Sequence, residues 1–148
     1  MAPMNVTGST EIEAPIARVW AVVEDVLIAP AWQGGLVAVT VLEHDAERRP
    51  ALAELESDLK IRRMKTLVRY SYEPPIRLIW TQVRGDLRSV EGSWSLEDLG
   101  GGRTVATYTL EGDPGGMLGM LVRGPVEAAA RAALRARPRE LKAHVEGN

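Results

Sequence analysis

The residues able to do chemistry in this chain are few, and their spacing narrows them further. Its only histidines are His44 and His144, and it has no cysteine, which removes thiolate zinc sites, cysteine nucleophiles and disulfides. His44 stands with Asp45 and Glu47, a set of metal-binding donor types, but it falls at a strand end where neighbouring side chains point apart, so a solvated turn is the expectation. His144 sits near the end of a C-terminal helix, where a cation complements the helix dipole. The serines, Ser9, Ser57, Ser71, Ser89, Ser93 and Ser95, occur in no Gly-x-Ser-x-Gly elbow. Glycine clusters at 34, 100 and 115 lack the lysine and spacing of a phosphate loop. Glu54, Glu56 and Asp58 repeat at period two, and a solvated outer strand face accounts for three like charges better than a buried acid pair does. No catalytic residue is assigned, and neither a cofactor nor a metal is expected.

The aromatic residues say more. The chain has no phenylalanine, so its aromatic surface is confined to Trp20, Trp32, Trp80, Trp94, Tyr70, Tyr72 and Tyr108, each with a polar atom that needs a partner when buried. Trp20 falls on the apolar stripe of a helix and reads as core. Strand parity puts Trp80 on one face with Leu78 and Gln82, Trp94 with Val90, Gly92 and Leu96, and Tyr70 with Val68 and Tyr72. If those faces are concave they line a pocket wall, with Met117, Met120, Leu121 and Val122 as a lid. Any one ring fits a filled core equally well; several together favour a pocket. Gln82, Arg69 and Arg84 are candidates to orient a ligand carbonyl or carboxylate, and Gln82 is favoured because it shares the Trp80 face while Arg69 stands opposite Tyr70. The candidate ligand-binding set is Trp32, Tyr70, Tyr72, Trp80, Gln82, Trp94, Tyr108, Met117, Leu121 and Val122.

Positioning these residues requires mostly strands. Val6 to Ile12 alternate as a short strand; Pro15 then opens a helix carrying Ile16, Val19, Trp20 and Val23 to about Glu24. The segment DVLIAPAWQG holds at most one short helical turn before Gly34-Gly35. Period two follows, with Val37, Val39 and Val41 on one strand and Ala51, Ala53, Leu55, Ser57, Leu59 and Ile61 on the next. Further strands are expected over about 65–72, 77–84 and 88–97, and a closing one from Thr104 to Glu111, joined by tight turns and so antiparallel. After GDPGG the pattern is helical through Leu118, Leu121, Val122, Val126, Ala129, Ala130, Ala133 and Leu134, with a restart at Pro125 and a kink at Pro138, since Leu141 and Val145 keep the phase. The expected fold class is α+β: a curved antiparallel sheet of about seven strands, two short helices after the first strand, and a long C-terminal helix across the concave side.

With 148 residues, 45% hydrophobic and 26% charged, one domain over 1–148 with one core is expected. A net charge of −2 and scattered arginines argue against a nucleic-acid partner. MAPMNVTGST has neither the basic patch nor the apolar run of a secretory signal, and no stretch approaches the roughly 20 apolar residues of a membrane span. A cytoplasmic protein without integral membrane association is the expectation.

Several segments taken together, IEAPIARVWAVVEDV, then Pro30 and Trp32, YSYEPP, Trp80 with Gly85-Asp86, and EGSWSLEDLGGGRTVATYTLE, resemble the polyketide cyclase/dehydrase group of the START-related lipid-transfer (SRPBCC) superfamily, over nearly the whole chain. The resemblance implies a helix-grip fold with a cavity between sheet and long helix for lipids, polyketides or isoprenoids. It implies no single activity, because carriers, sensors and aromatase/cyclases share the fold. Binding or transport of an apolar small molecule is the first expectation, since no poised base is evident. A polyketide aromatase/cyclase using the same cavity, with a Tyr, Gln or Arg assisting proton transfer, is the alternative. A partner-binding regulator would instead need an exposed apolar patch.

Overall fold

The computed structural model describes residues 4–58, 62–116 and 124–147. Strand β1 (Met4–Ile12) is followed by α1 (Ile16–Glu24) and a 3-10 helix (Val26–Ala31), then by β2 (Leu36–His44), β3 (Pro50–Asp58), β4 (Arg63–Glu73), β5 (Arg77–Gly85), β6 (Ser89–Gly100) and β7 (Arg103–Asp113). The C-terminal region carries α2 (Pro125–Arg135) and α3 (Arg137–Glu146). All strands pair antiparallel in one sheet of order β1-β7-β6-β5-β4-β3-β2. The two short helices carry the chain from one sheet edge to the other, and the meander then brings β7 back beside β1. This is the helix-grip architecture, an α+β fold.

Local chemistry explains the elements. In α1, Val19, Trp20 and Val23 recur at helical spacing and are all buried, giving the helix a single face to lay on the sheet. The strands β6 and β7 alternate buried and less buried residues along most of their length, because one face meets the core and the other meets water. Outward hydroxyls pair across the outer face, Ser9 with Thr107 at 2.8 Å and Thr7 with Thr109 at 3.4 Å. Glu56 and Glu54 also face outward, answered by Arg63 at 2.8 Å and Lys65 at 3.8 Å.

Register shifts bend the sheet: between Leu36 and Ala38 in β2, Leu67 and Val68 in β4, and Asp98 and Gly100 in β6. Such irregularities increase local twist. The first of them corrects the expected face of β2. Val39 and Val41 stand opposite Leu55 and Ala53, but Val37 is the residue left over by the bulge and is 39% exposed.

The C-terminal helix is long but segmented. Its bend comes at Ala136, which keeps right-handed helical dihedrals (φ −78°, ψ −11°) between α2 and α3, so Pro138 falls in the first turn of α3, where no N–H is demanded of it. The apolar phase is kept: Leu141 and Val145 are 0% and 1% exposed. Leu59 and Ile61 of the expected second strand, and Leu118, Leu121 and Val122 of the expected helix start, lie outside the described residues.

Two glycines set close approaches. A Cβ at Gly8 would lie 2.9 Å from the Arg135 carbonyl oxygen, so the end of α2 presses directly onto β1. A Cβ at Gly92 would overlap the Trp80 indole, which therefore lies flat across the neighbouring strand.

Candidate functional site

Register places the inward side chains in rows across the sheet. Tyr70, Trp80, Gly92 and Leu110 form one row, and Tyr72, Leu78, Trp94 and Tyr108 form the next. Trp80, Trp94 and Tyr108 belong to the buried core cluster, while Tyr70, Tyr72, Leu55, Leu110, Leu134 and Trp32 are partly buried against it. The rings join into a chain, with centroids 5.7 Å apart for Trp80–Tyr108, 4.9 Å for Tyr108–Trp94 and 6.1 Å for Trp94–Trp32, within the attractive range for aromatic pairs. The chain ends on α3, where His144 stacks on Trp32 at 6.1 Å and 24°. Tyr70 and Tyr72 make a separate pair 6.0 Å apart.

Polar atoms divide these residues. The Tyr72 hydroxyl donates to the Pro50 carbonyl at 2.6 Å, and the Arg49 guanidinium lies 4.4 Å over its ring. Arg49 is held there by Asp45, Glu47 and Glu24 at 2.9, 3.4 and 3.5 Å. The Tyr70 hydroxyl makes no hydrogen bond among the described residues. Burial pushes the phenols of Tyr70, Tyr72 and Tyr108 up from their ordinary value. At Tyr108 the Arg137 guanidinium beside it works against that rise. All three are neutral hydrogen-bond donors at neutral pH.

Gln82 also faces inward, but its amide is engaged. Its Oε1 accepts from Thr66 at 2.7 Å and its Nε2 donates to the Leu87 carbonyl at 3.0 Å. Arg69 pairs with Glu43 at 3.7 Å on the outer face. Beyond the Thr81–Glu91 pair, β5 and β6 part, and a groove of about 400 Å³ opens among Gln82, Arg84, Arg88, Val90 and Glu111. It takes residues from both faces of the sheet, around the end of the ladder. Met117, Leu121 and Val122 lie outside the described residues. Among the described residues no cluster of three or more metal-binding side chains occurs, and no helix is long and apolar enough to cross a membrane.

Arg137 escapes the sequence reading, and His144 is read there only as a cation at a helix end. Arg137 donates to the Gly34 carbonyl at 2.6 Å and pairs with Glu140 at 2.9 Å, and its side chain is only 11% exposed. His144 meets Trp32, as described. The signal was present: with Leu134 and Leu141, positions 137 and 144 continue a three-to-four spacing, so a cation and an imidazole stand on the buried stripe of the helix.

The chain matches the family model described as polyketide cyclase / dehydrase and lipid transport over residues 12–137. No curated protein sequence matches it. Among solved structures it is similar to a START superfamily protein from Mycobacterium smegmatis, at 20% identity over 97% of both chains with a TM-score of 0.82. It is similar also to the Zhui aromatase/cyclase from a Streptomyces species, at 18% identity over 98% of this chain and 94% of that one with a TM-score of 0.81. A protein from Thermus thermophilus gives 18% identity, 97% and 98% coverage and a TM-score of 0.81. At such identities the structures speak for the fold; the family match, which runs from the end of β1 to the first residue of α3, shows that this chain belongs to the polyketide cyclase/dehydrase and lipid transport family.

Proposed function

We propose that the protein binds or carries an apolar small molecule of lipid, polyketide or isoprenoid type between the concave sheet and the C-terminal helix. The observation that carries this reading is the unequal filling of the concave side. Val19, Trp20 and Val23 of α1 and Leu141 and Val145 of α3 are buried, whereas Leu55, Tyr70, Tyr72, Leu110 and Leu134 are only partly so, as are Ile16 and Val22 at the margin of α1 and Trp32 after it. Apolar and aromatic surface left accessible on an inward face, with a few polar groups among it, is what a small-molecule site presents. Burial at ~25 cal/mol per Å² supplies the affinity, and the polar groups set the orientation.

Native mass spectrometry of protein purified from its own host tests this, together with melting curves against a panel of lipids and polyketides. A retained apolar ligand, or a melting temperature that rises with ligand concentration, is expected. No bound mass and no shift at saturating ligand would sink the reading.

One observation favours a second reading, the aromatase/cyclase. The Tyr70 hydroxyl is neutral and unengaged among the described residues, so it is available to deliver a proton, unlike Tyr72, whose hydroxyl is held by Pro50. Turnover of a poly-β-keto substrate that disappears in Tyr70→Phe, with ligand affinity kept, would promote this reading over the carrier.

A further inference from the structure

We propose that Trp32 Nε1–H and Arg137 Nε–H form a site for one neutral carbonyl oxygen of the bound ligand. Both nitrogens are buried and have no hydrogen-bond partner among the described residues, which is costly for an N–H group and uncommon in folded proteins. They belong to one neighbourhood. Arg137 reaches the Gly34 carbonyl at 2.6 Å, two residues beyond Trp32, and Glu140 takes the Gly34 N–H at 2.9 Å. Trp32 abuts Trp94, Trp94 abuts Tyr108, and the Arg137 guanidinium lies beside Tyr108. The two unused donors thus flank the ring chain where α2 passes into α3, Arg137 standing three residues beyond half-buried Leu134.

Charge decides which acceptor fits. Glu140 already balances Arg137 at 2.9 Å. A carboxylate entering beside that ion pair would leave a net negative charge in a buried place, which is expensive. A ketone or ester oxygen accepts the same hydrogen bonds and adds no charge. The ligand class is therefore an apolar molecule bearing a neutral carbonyl, as opposed to a free fatty acid or a bare hydrocarbon.

The inference rests on the pocket reading above, and three probes of one shape separate their failures: 2-acetylnaphthalene, 2-ethylnaphthalene and 2-naphthoate, titrated at pH 8. The ketone is expected to bind roughly tenfold more tightly than the hydrocarbon, with the carboxylate weakest. Trp32→Phe should erase the ketone's advantage and leave hydrocarbon affinity within about twofold, as expected when one hydrogen bond is lost and the ring is kept. Arg137→Lys, which keeps a cation but drops the Nε–H, makes the same comparison from the other side. In the wild-type protein, the Trp32 indole proton should move downfield with the ketone and not with the hydrocarbon, a readout that needs no variant to fold. Equal binding of ketone and hydrocarbon, or a preference for the carboxylate, overturns the carbonyl site and leaves the pocket standing. Failure of all three probes to bind overturns the pocket, and this site with it.

Discussion

The two halves of the C-terminal helix meet the sheet in opposite ways. Segment α3 buries Pro138, Leu141 and Val145, whereas no residue of α2 is buried. Hydrogen bonds follow the same division. Lys142 donates to the Glu11 carbonyl at 3.0 Å, Glu146 accepts from Glu13 N–H at 2.8 Å, and Arg18 donates to the Val145 carbonyl at 2.6 Å. The α2 segment has the Arg131 bond to the Asn5 carbonyl at 3.2 Å and its tight approach at Gly8. One end of the grip is closed by dense packing; toward the other, Leu134 of α2 is only half-buried, as are Leu110 and Tyr70 on the sheet. On the proposed reading, stability and binding occupy separate ends of one concave face.

The largest expected effect tests that separation with the same chemistry at both ends. Leu141→Ala, at a fully buried site, should cost ~2–5 kcal/mol of unfolding free energy, measured by urea denaturation. Leu55→Ala, at a half-buried site on β3, should cost less than ~1.5 kcal/mol and show its effect in ligand affinity. Comparable losses at both would erase the distinction.

Gly92→Ala should come next, at ~1–3 kcal/mol, because the added methyl must displace the Trp80 indole. A changed tryptophan emission spectrum should accompany the loss; an unchanged spectrum and melting curve would contradict the packing described.

Raising the pH acts on the core through the tyrosines, of which the chain has only Tyr70, Tyr72 and Tyr108. Burial lifts all three above their ordinary value. A phenol raised in the folded state contributes stability that is fully present below the unfolded value of about 10 and is lost as pH rises past it. Stability should therefore hold to about pH 10 and then decline, with tyrosinate absorbance appearing together with unfolding. Tyrosinate formed in the folded protein before that point would show that the rings are accessible to solvent. The smallest effect belongs to the outer face. Glu56→Gln, which breaks the exposed pair with Arg63, should change stability by less than ~1 kcal/mol and leave binding untouched.

Much of this fold was legible from period and punctuation. The alternation along β6 and β7, the helical stripe of Trp20 and the continued phase of Leu141 and Val145 are one-dimensional patterns that packing reproduces. What resisted was anything set by a neighbour far away in sequence. Val37 reads as inward by parity, and only the pairing with β3 reveals the bulge that turns it out. Gln82 reads as a free amide until Thr66 and Leu87 are brought to it. Arg137 was passed over because a charged residue on an apolar stripe looks like an interruption, and its meaning depends on Gly34, Glu140 and Tyr108 arriving beside it.

The most direct test of the central claim follows methyl-labelled Leu55, Leu110, Leu141 and Val145 by NMR while an apolar ligand such as 2-acetylnaphthalene is titrated. Saturable shifts at Leu55 and Leu110, with Leu141 and Val145 nearly still, are the expected result. Shifts confined to Leu141 and Val145, or none that saturate, would contradict a binding site at the open end of the grip.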